Sequence, residues 1–512
     1  MNRDKFLARL RERSEPWDLV VVGGGATGVG VALDAAARGY EVALVEQHDF
    51  GKGTSSRSTK LVHGGVRYLE QGNISLVMEA LQERGILREN APHLVHDLAF
   101  VVPNYEWWEA PFYGVGLRLY DLLAGKYGFG KSRNLSREET LERLPSIRTD
   151  GLRGGVVYYD GQFDDSRLLI HMLWTAMEQG ATLVNYCPVE SFLMDGGVVC
   201  GVAARDMETG DPLELRARVV INATGAFSDG VRHMANPAAV PMIAPSQGAH
   251  VVLDRSFLPG DSAIMVPHTT DGRVMFAIPW HDHTLVGTTD AAVTEVPLEP
   301  RPLAEEIDFI LQTAGRFLHH APRREDVLSA FAGIRPLVKS SGGNTASLSR
   351  DHSIHIDANG LLTIAGGKWT TYRHMAEDCV NQAAVLGSLP DRDCVTRRLR
   401  LHGFHANAAK FGALAVYGSD AQAIVDLGGG EPLHPALPYT EGEVIWAVRQ
   451  EMARTVEDVL ARRTRALLLN AKAAMAMAPR VGEIVAAELD RETDSQVADF
   501  LALAEGYLAP AS

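Results

Sequence analysis

Residues 18–47, DLVVVGGGATGVGVALDAAARGYEVALVEQ, decide the fold, and residues 54–68, TSSRSTKLVHGGVRY, extend the same reading. Leu19 to Val22 is a short unbroken apolar run, the pattern of a parallel strand buried on both faces. Gly23, Gly25 and Gly28 follow at G-x-G-x-x-G spacing. The first permits the turn, the second lets a pyrophosphate touch the backbone, and the third lets helix and strand pack closely. Val29 to Arg38 is alanine-rich and helical, so free N–H groups and a positive dipole end point at the phosphates. Glu41 to Val45 makes the next strand, and Glu46 ends it where a ribose presents its hydroxyls. A glycine-rich turn in an ordinary α/β sheet does not require that acid. Its presence favours an unphosphorylated ribose, so FAD or NAD over NADP.

The chain has 512 residues, enough for two or three domains, and 46% hydrophobic with 22% charged residues is a globular balance. The net charge of −15 leaves no general basic field, which argues against nucleic acid as a partner. An anionic substrate must therefore be caught by a local arginine cluster. Cys187, Cys200, Cys379 and Cys394 are scattered without metal spacing, so a reducing compartment and no metal are expected. No apolar run reaches the roughly 18 residues of a membrane span. The segment MNRDKFLARLRERSEPW lacks the apolar core of a signal peptide and reads as an exposed helical extension over residues 1–17.

After Glu46, the hydroxyl residues Thr54, Ser55, Ser56, Ser58 and Thr59 suit a pyrophosphate and a flavin edge. In the tail His63-Gly64-Gly65-Val66-Arg67-Tyr68, glycines let the backbone lie against a flat ring. This stretch resembles the FAD-dependent glycerol-3-phosphate dehydrogenases, respiratory enzymes that pass electrons to quinone. Their fingerprint is followed by T-S-S-x-x-S/T-K-L-x-H-G-G-x-R-Y. The resemblance continues through GVVYYDGQFDDSR (155–167), VVINATG (219–225), QGAH (247–250) with Ala249 as a local difference, and LVGTTD (285–290). It then takes in SAFAGIRPL (329–337), SLSRDHSI (347–354), LLTIAGGKWTTYR (361–373) and the helical WAVRQEMARTVEDVLARRTRALLLN (446–470), with Trp369 in a variable slot.

The resemblance implies an α/β fold, with a doubly wound FAD-binding domain interleaved with an antiparallel-sheet substrate domain. A C-terminal α-helical domain follows. FAD-binding segments are expected at about 18–90, 150–245 and 350–394, substrate segments at about 91–149 and 246–349, and the helical domain at 395–512. FAD would be held by Gly23, Gly25, Gly28, Glu46, Thr54, Ser55, Ser56, Lys60, His63, Gly64, Gly65, Ala223, Gly225, Gly367, Lys368 and Thr370.

The implied chemistry is oxidation of sn-glycerol 3-phosphate to dihydroxyacetone phosphate, with hydride passing from C2 to flavin N5 and electrons moving on to a membrane quinone. An alcohol losing hydride needs its proton taken or its oxygen stabilised. His250 is assigned the base; Arg67, Arg335 and Lys368 would orient the hydroxyl or stabilise its charge. Guanidinium forks suit a phosphate monoester, which gives Arg335 and Arg350, with Tyr68, to substrate binding. An ion pair with Asp351 competes for Arg350.

YEWWEAPFYGVGLRLYDLL (105–123) reads either as a segment lying on a bilayer surface or as a core helix. The arginines from Arg449 to Arg465 read as phospholipid-facing or as partners of acids. The resemblance adds peripheral attachment to the inner face of the cytoplasmic membrane, a cytoplasmic location, and a homodimer. Three rivals remain: a glycerol-phosphate oxidase with the same site that uses oxygen, an amino-acid or amine oxidase on the same scaffold, against which HGGVRY and GGKWTTYR argue, and a non-catalytic flavoprotein sensor.

Overall fold

The computed structural model describes all residues except 67–72, 107–108, 268, 270–271, 340–351 and 510–512. Two sheets organise the chain. In the first, parallel strands Leu362–Gly366, Pro212–Asn222, Trp17–Val22, Val42–Val45 and Thr182–Val184 lie side by side, with His352–Ile356 antiparallel at one edge. Leu19, Val20 and Val21 are fully buried, as an unbroken apolar run in a doubly covered parallel sheet requires. The Ala26–Ala37 helix packs between helices Asp165–Glu178 and Tyr372–Leu386. Its small residues make this possible: a Cβ on Gly30 would lie 2.9 Å from the Tyr372 ring.

The second sheet is mostly antiparallel and built around Ile243–Asp254 paired with Val327–Val338. That register sets His250 opposite Phe331 and Ser246 opposite Arg335. Strand Gly154–Phe163 also belongs here, paired residue by residue with Val95–Asn104. This corrects the expected segmentation, which put everything from 150 to 245 on the cofactor side. The chain returns to the first sheet only with the Asp165–Glu178 helix.

The first residues are not an exposed extension. Leu7 and Leu10 of the Arg3–Glu12 helix are buried with Trp17, and Arg3 donates to Asn185 O and to Asp206 Oδ1 at 2.7 Å. Burying those two leucines contributes about 1.5–3 kcal/mol each.

The C-terminal region carries a small hairpin, Pro432–His434 with Leu437–Thr440, as well as helices. The helical run expected over 446–470 is broken. A helix spans Glu441–Gln450, and a π-helical turn follows at Asp458–Arg463. The cause is Asp458, whose buried carboxylate accepts from Arg454 N at 2.8 Å and Thr455 N at 3.1 Å and stops the helix from running through. The apolar core of this region is continuous with one side of the second sheet: Val456, Leu467 and Met477 share a cluster with Phe100, Tyr158 and Trp280.

Candidate active site

The site begins where three strand ends meet. Gly23 N donates to Val45 O, Ala223 N donates to Val22 O, and a Cβ on Gly23 would sit 2.7 Å from Ala223 O. Gly23 also has φ +110°, so glycine is required twice over. A Cβ on Gly28 would lie 1.9 Å from Gly23 O, which is the close helix–strand approach its spacing implied. Gly25 precedes the Ala26–Ala37 helix without a side-chain cap of its own, and the first helical N–H, that of Ala26, is met by Ser55 Oγ. Glu46 accepts from Gly24 N at 2.6 Å and His48 N at 2.9 Å, so its carboxylate is pinned at the end of the second strand. Burial raises its pKa and those two N–H groups oppose the rise.

Residues 54–60 tie every part of the site together. Ser55 Oγ accepts from Ala26 N at the helix start, 2.8 Å away. Thr54 Oγ1 donates to Ile334 O, next to Arg335, at 2.5 Å. Thr59 Oγ1 lies 2.9 Å from His250 Nε2. The Trp369 indole N–H donates to Ser55 O at 2.9 Å and anchors the Gly-Gly-Lys turn on this loop. Trp369 escaped the sequence reading because it fills a variable slot; its signal was the only aromatic N–H donor in that turn.

Two residues of the loop do not face a cofactor. Ser56 is buried, with its hydroxyl on Gly51 O. Lys60 is fully buried and bonds Asp165 Oδ2 at 2.7 Å and Ser56 O at 2.9 Å. Burial lowers its pKa to about 8 against the pull of Asp165. Both were expected at the cofactor; they instead hold the loop from behind, because a buried ammonium takes the nearest carboxylate. A Cβ on Gly64 would strike the Tyr120 hydroxyl and Leu81, so glycine here lets the backbone pack closely against those side chains. His63 N donates to Thr370 Oγ1 at 3.1 Å, Gly65 has φ +76°, and Gly367 has φ +75° with its Cβ direction filled by Met375. Lys368 is half-buried at the start of the Trp369–Thr371 turn. Gly225, with φ +59°, faces open space beside Ala223.

His250 is buried in the second sheet, its ring stacked on Phe331 at 5.1 Å and its Cδ2 edge against Gly287, where no Cβ could fit. Its Nδ1 is buried without a hydrogen-bond partner. Burial, then Lys60 and Arg335, holds its pKa well below the ordinary value, so the imidazole is neutral at physiological pH. The Arg335 guanidinium is a quarter exposed and bonds Asp290 Oδ1 at 3.1 Å, Thr288 Oγ1 at 3.1 Å and Thr289 O at 2.9 Å. Asp290, the acid of GTTD, is thus a site residue that sequence reasoning quoted but did not assign. Arg67, Tyr68 and Arg350 lie outside the described residues.

These residues fit a dinucleotide carrying a flavin. They supply a helix N-terminus for phosphates, an acid at the ribose position, and open space over Gly53 and Gly225. Fold and site together define an FAD-dependent oxidoreductase. Residues 18–373 match the family model described as FAD dependent oxidoreductase, and residues 362–496 match the C-terminal domain of alpha-glycerophosphate oxidase. A probable mitochondrial glycerol-3-phosphate dehydrogenase of Caenorhabditis elegans is 42% identical over 95% of this chain and 72% of that protein. The mitochondrial glycerol-3-phosphate dehydrogenase of Homo sapiens is 42% identical over 96% of this chain and 72% of that protein. The crystal structure of the glycerol-3-phosphate dehydrogenase from Bacillus halodurans complexed with FAD superposes with TM-score 0.80 at 32% identity, covering 100% of this chain and 98% of that one. The chain belongs to the FAD-dependent glycerol-3-phosphate dehydrogenase family, and its cofactor is FAD.

Proposed function

We propose that this chain oxidises sn-glycerol 3-phosphate to dihydroxyacetone phosphate and delivers the electrons to a membrane quinone. The observation that carries the reading is His250: a buried, neutral imidazole with an unpartnered Nδ1, held through Nε2 by the loop that also meets the fingerprint helix. FAD, when bound, supplies the acceptor for the hydride leaving C2. The protein's part is to take the hydroxyl proton and to fix the substrate. His250 takes the proton, since a neutral base is what the alcohol requires. Arg335 presents its fork to the phosphate, steadied by Asp290 and the carbonyl of Thr289, with Arg350 as the second cation. Lys368 and Arg67 stabilise the developing charge on the C2 oxygen.

Delivery to quinone is supported by the Glu109–Ala124 helix. Phe112, Val115, Leu119 and Leu122 stand exposed along one face, while Leu117, Tyr120 and Ala124 fill the core. The buried face fits the core-helix reading, and the exposed face supports the bilayer-surface one. No helix among the described residues is long and apolar enough to cross a membrane. The proposed attachment by this face is peripheral, on the inner face of the cytoplasmic membrane. A homodimer completes the proposal.

Anaerobic addition of glycerol 3-phosphate to the purified protein tests it. The flavin band bleaches and recovers with a quinone analogue if the proposal holds. A flavin that ignores the substrate overturns it, and rapid oxygen uptake without quinone replaces the dehydrogenase by an oxidase.

A further inference from the structure

The C-terminal region makes a set of buried ionic contacts that the reaction itself does not use. They come from one short segment, Glu457–Arg465; besides the pairs of Arg462 with Glu457 and Asp458 inside it, they reach residues 49–60 or Asp165. Arg463 forks onto Asp49 at 2.7 and 2.8 Å, and Arg462 bonds the same carboxylate at 2.5 Å. Glu457 accepts from Lys52 at 2.6 Å. Arg465 donates to Ser56 O at 2.7 Å and to Asp165 Oδ1 at 3.1 Å. Lys60 donates to the same Ser56 carbonyl, and Asp165 Oδ2 also accepts from Ser58 N and Ser58 Oγ. Asp49, Asp165, Arg462, Arg463 and Arg465 are almost wholly excluded from solvent.

Such a cluster is poor evidence for stability, because desolvating ions cancels most of the attraction between them. What it does define is position. Asp49 follows His48, whose N–H pins Glu46 at the ribose end. Ser56 follows Ser55, which meets the helix N-terminus at the pyrophosphate end. Thr59, between Ser58 and Lys60, holds His250. Each clamped residue is a chain neighbour of one that faces the cofactor or the base.

We propose that Glu457–Arg465 is a positioning clamp for FAD: the C-terminal region holds residues 49–60 in the conformation that receives the cofactor. FAD retention therefore depends on side chains that never touch FAD. The inference rests on FAD lying over the start of the Ala26–Ala37 helix. A wild-type protein that purifies with one flavin per chain checks that reading separately.

The test is the rate of flavin release from holoenzyme diluted into flavin-free buffer, read as the rise in flavin fluorescence. Far-UV circular dichroism confirms that the chain stays folded throughout. Arg465→Met is compared with Met477→Ala, a truncation of a buried core residue in the Ala471–Leu489 helix. Release is expected to quicken about tenfold or more in Arg465→Met, the scale of one lost charged hydrogen bond. Met477→Ala is expected to keep the wild-type rate. Equal rates in Arg465→Met and wild type, or equal acceleration in both variants, overturn the clamp. Should Arg465→Met fail to fold, the double variant Lys52→Met/Glu457→Gln removes the pair at the rim. Faster release there supports the clamp, and a wild-type rate overturns it.

Discussion

Thr59 Oγ1 and His250 Nε2 lie 2.9 Å apart, a contact between the loop that follows the FAD fingerprint and the central strand of the second sheet. One hydrogen bond thus couples the cofactor side of the site to the proposed base. The other ring nitrogen, Nδ1, is buried with no hydrogen-bond partner among the described residues. His250→Ala is expected to lower kcat by ~10²–10⁴ with flavin still bound, the usual share of a general base. Thr59→Val should lower kcat about five- to tenfold, and Thr59→Ser should restore it, as one hydrogen bond's worth of orientation predicts. Steady-state rates at matched flavin content check both.

The acid limb of kcat/KM should lie below pH 6.5. Burial, Lys60 and Arg335 all hold the His250 pKa down, so the free enzyme keeps its base unprotonated as the pH falls through the ordinary histidine range. The stability term has the matching sign. Below pH 6.5 the unfolded chain binds a proton that folded His250 refuses, so this group costs stability as the pH drops. A pH–rate profile with a limb at or above 6.5 would remove His250 from the role of base.

Arg335→Lys should raise KM for glycerol 3-phosphate more than it lowers kcat. Lysine keeps the charge and loses the planar fork, which here spans Asp290, Thr288 and Thr289. An unchanged KM would take Arg335 out of the phosphate site.

Two glycines of one helix should respond differently to alanine. At Gly28 the added Cβ meets backbone, Gly23 O, at 1.9 Å and nothing can yield. At Gly30 it meets the Tyr372 ring at 2.9 Å, and a side chain can shift. Gly28→Ala should therefore lose its flavin, whereas Gly30→Ala should retain it with a cost of about 1–3 kcal/mol from overpacking. Bound-flavin absorbance and thermal melting distinguish them.

Val115→Glu/Leu122→Glu should abolish sedimentation with anionic lipid vesicles and leave activity with a soluble electron acceptor unchanged. Both side chains are exposed, at 70% and 76%, so neither substitution disturbs the core. Undiminished vesicle binding would place the membrane face elsewhere.

Glu443 offers a check on the C-terminal region alone. It is buried, accepts from Thr440 N and the Tyr417 hydroxyl, and burial raises its pKa to about 7. Its folded pKa is above its unfolded one, so stability falls as the pH rises between them. Glu443→Gln should gain in melting temperature over wild type at pH 8 relative to pH 5.

The sequence alone determined the strand, glycine turn, helix and acid-ended strand of a dinucleotide fingerprint, and its resemblance to the family pointed to FAD. Leu19–Val22, the three spaced glycines and Glu46 act through local sterics and short-range hydrogen bonds, so their spacing carries their meaning. The motifs HGGVRY and GGKWTTYR likewise pointed to the family. Tertiary structure alone decided which side chains of those motifs are buried against the rest of the protein. Lys60 and Ser56 share a motif with Ser55, yet burial turns them inward, because Asp165, more than a hundred residues away in the chain, waits there for the ammonium. It also decided that Arg462 and Arg463 close on Asp49 of the loop and Arg465 on Asp165 of the following helix, and not on phospholipid. A charged side chain takes the partner that folding brings to it in the absence of water, and that partner is set by long-range packing, which no local spacing records.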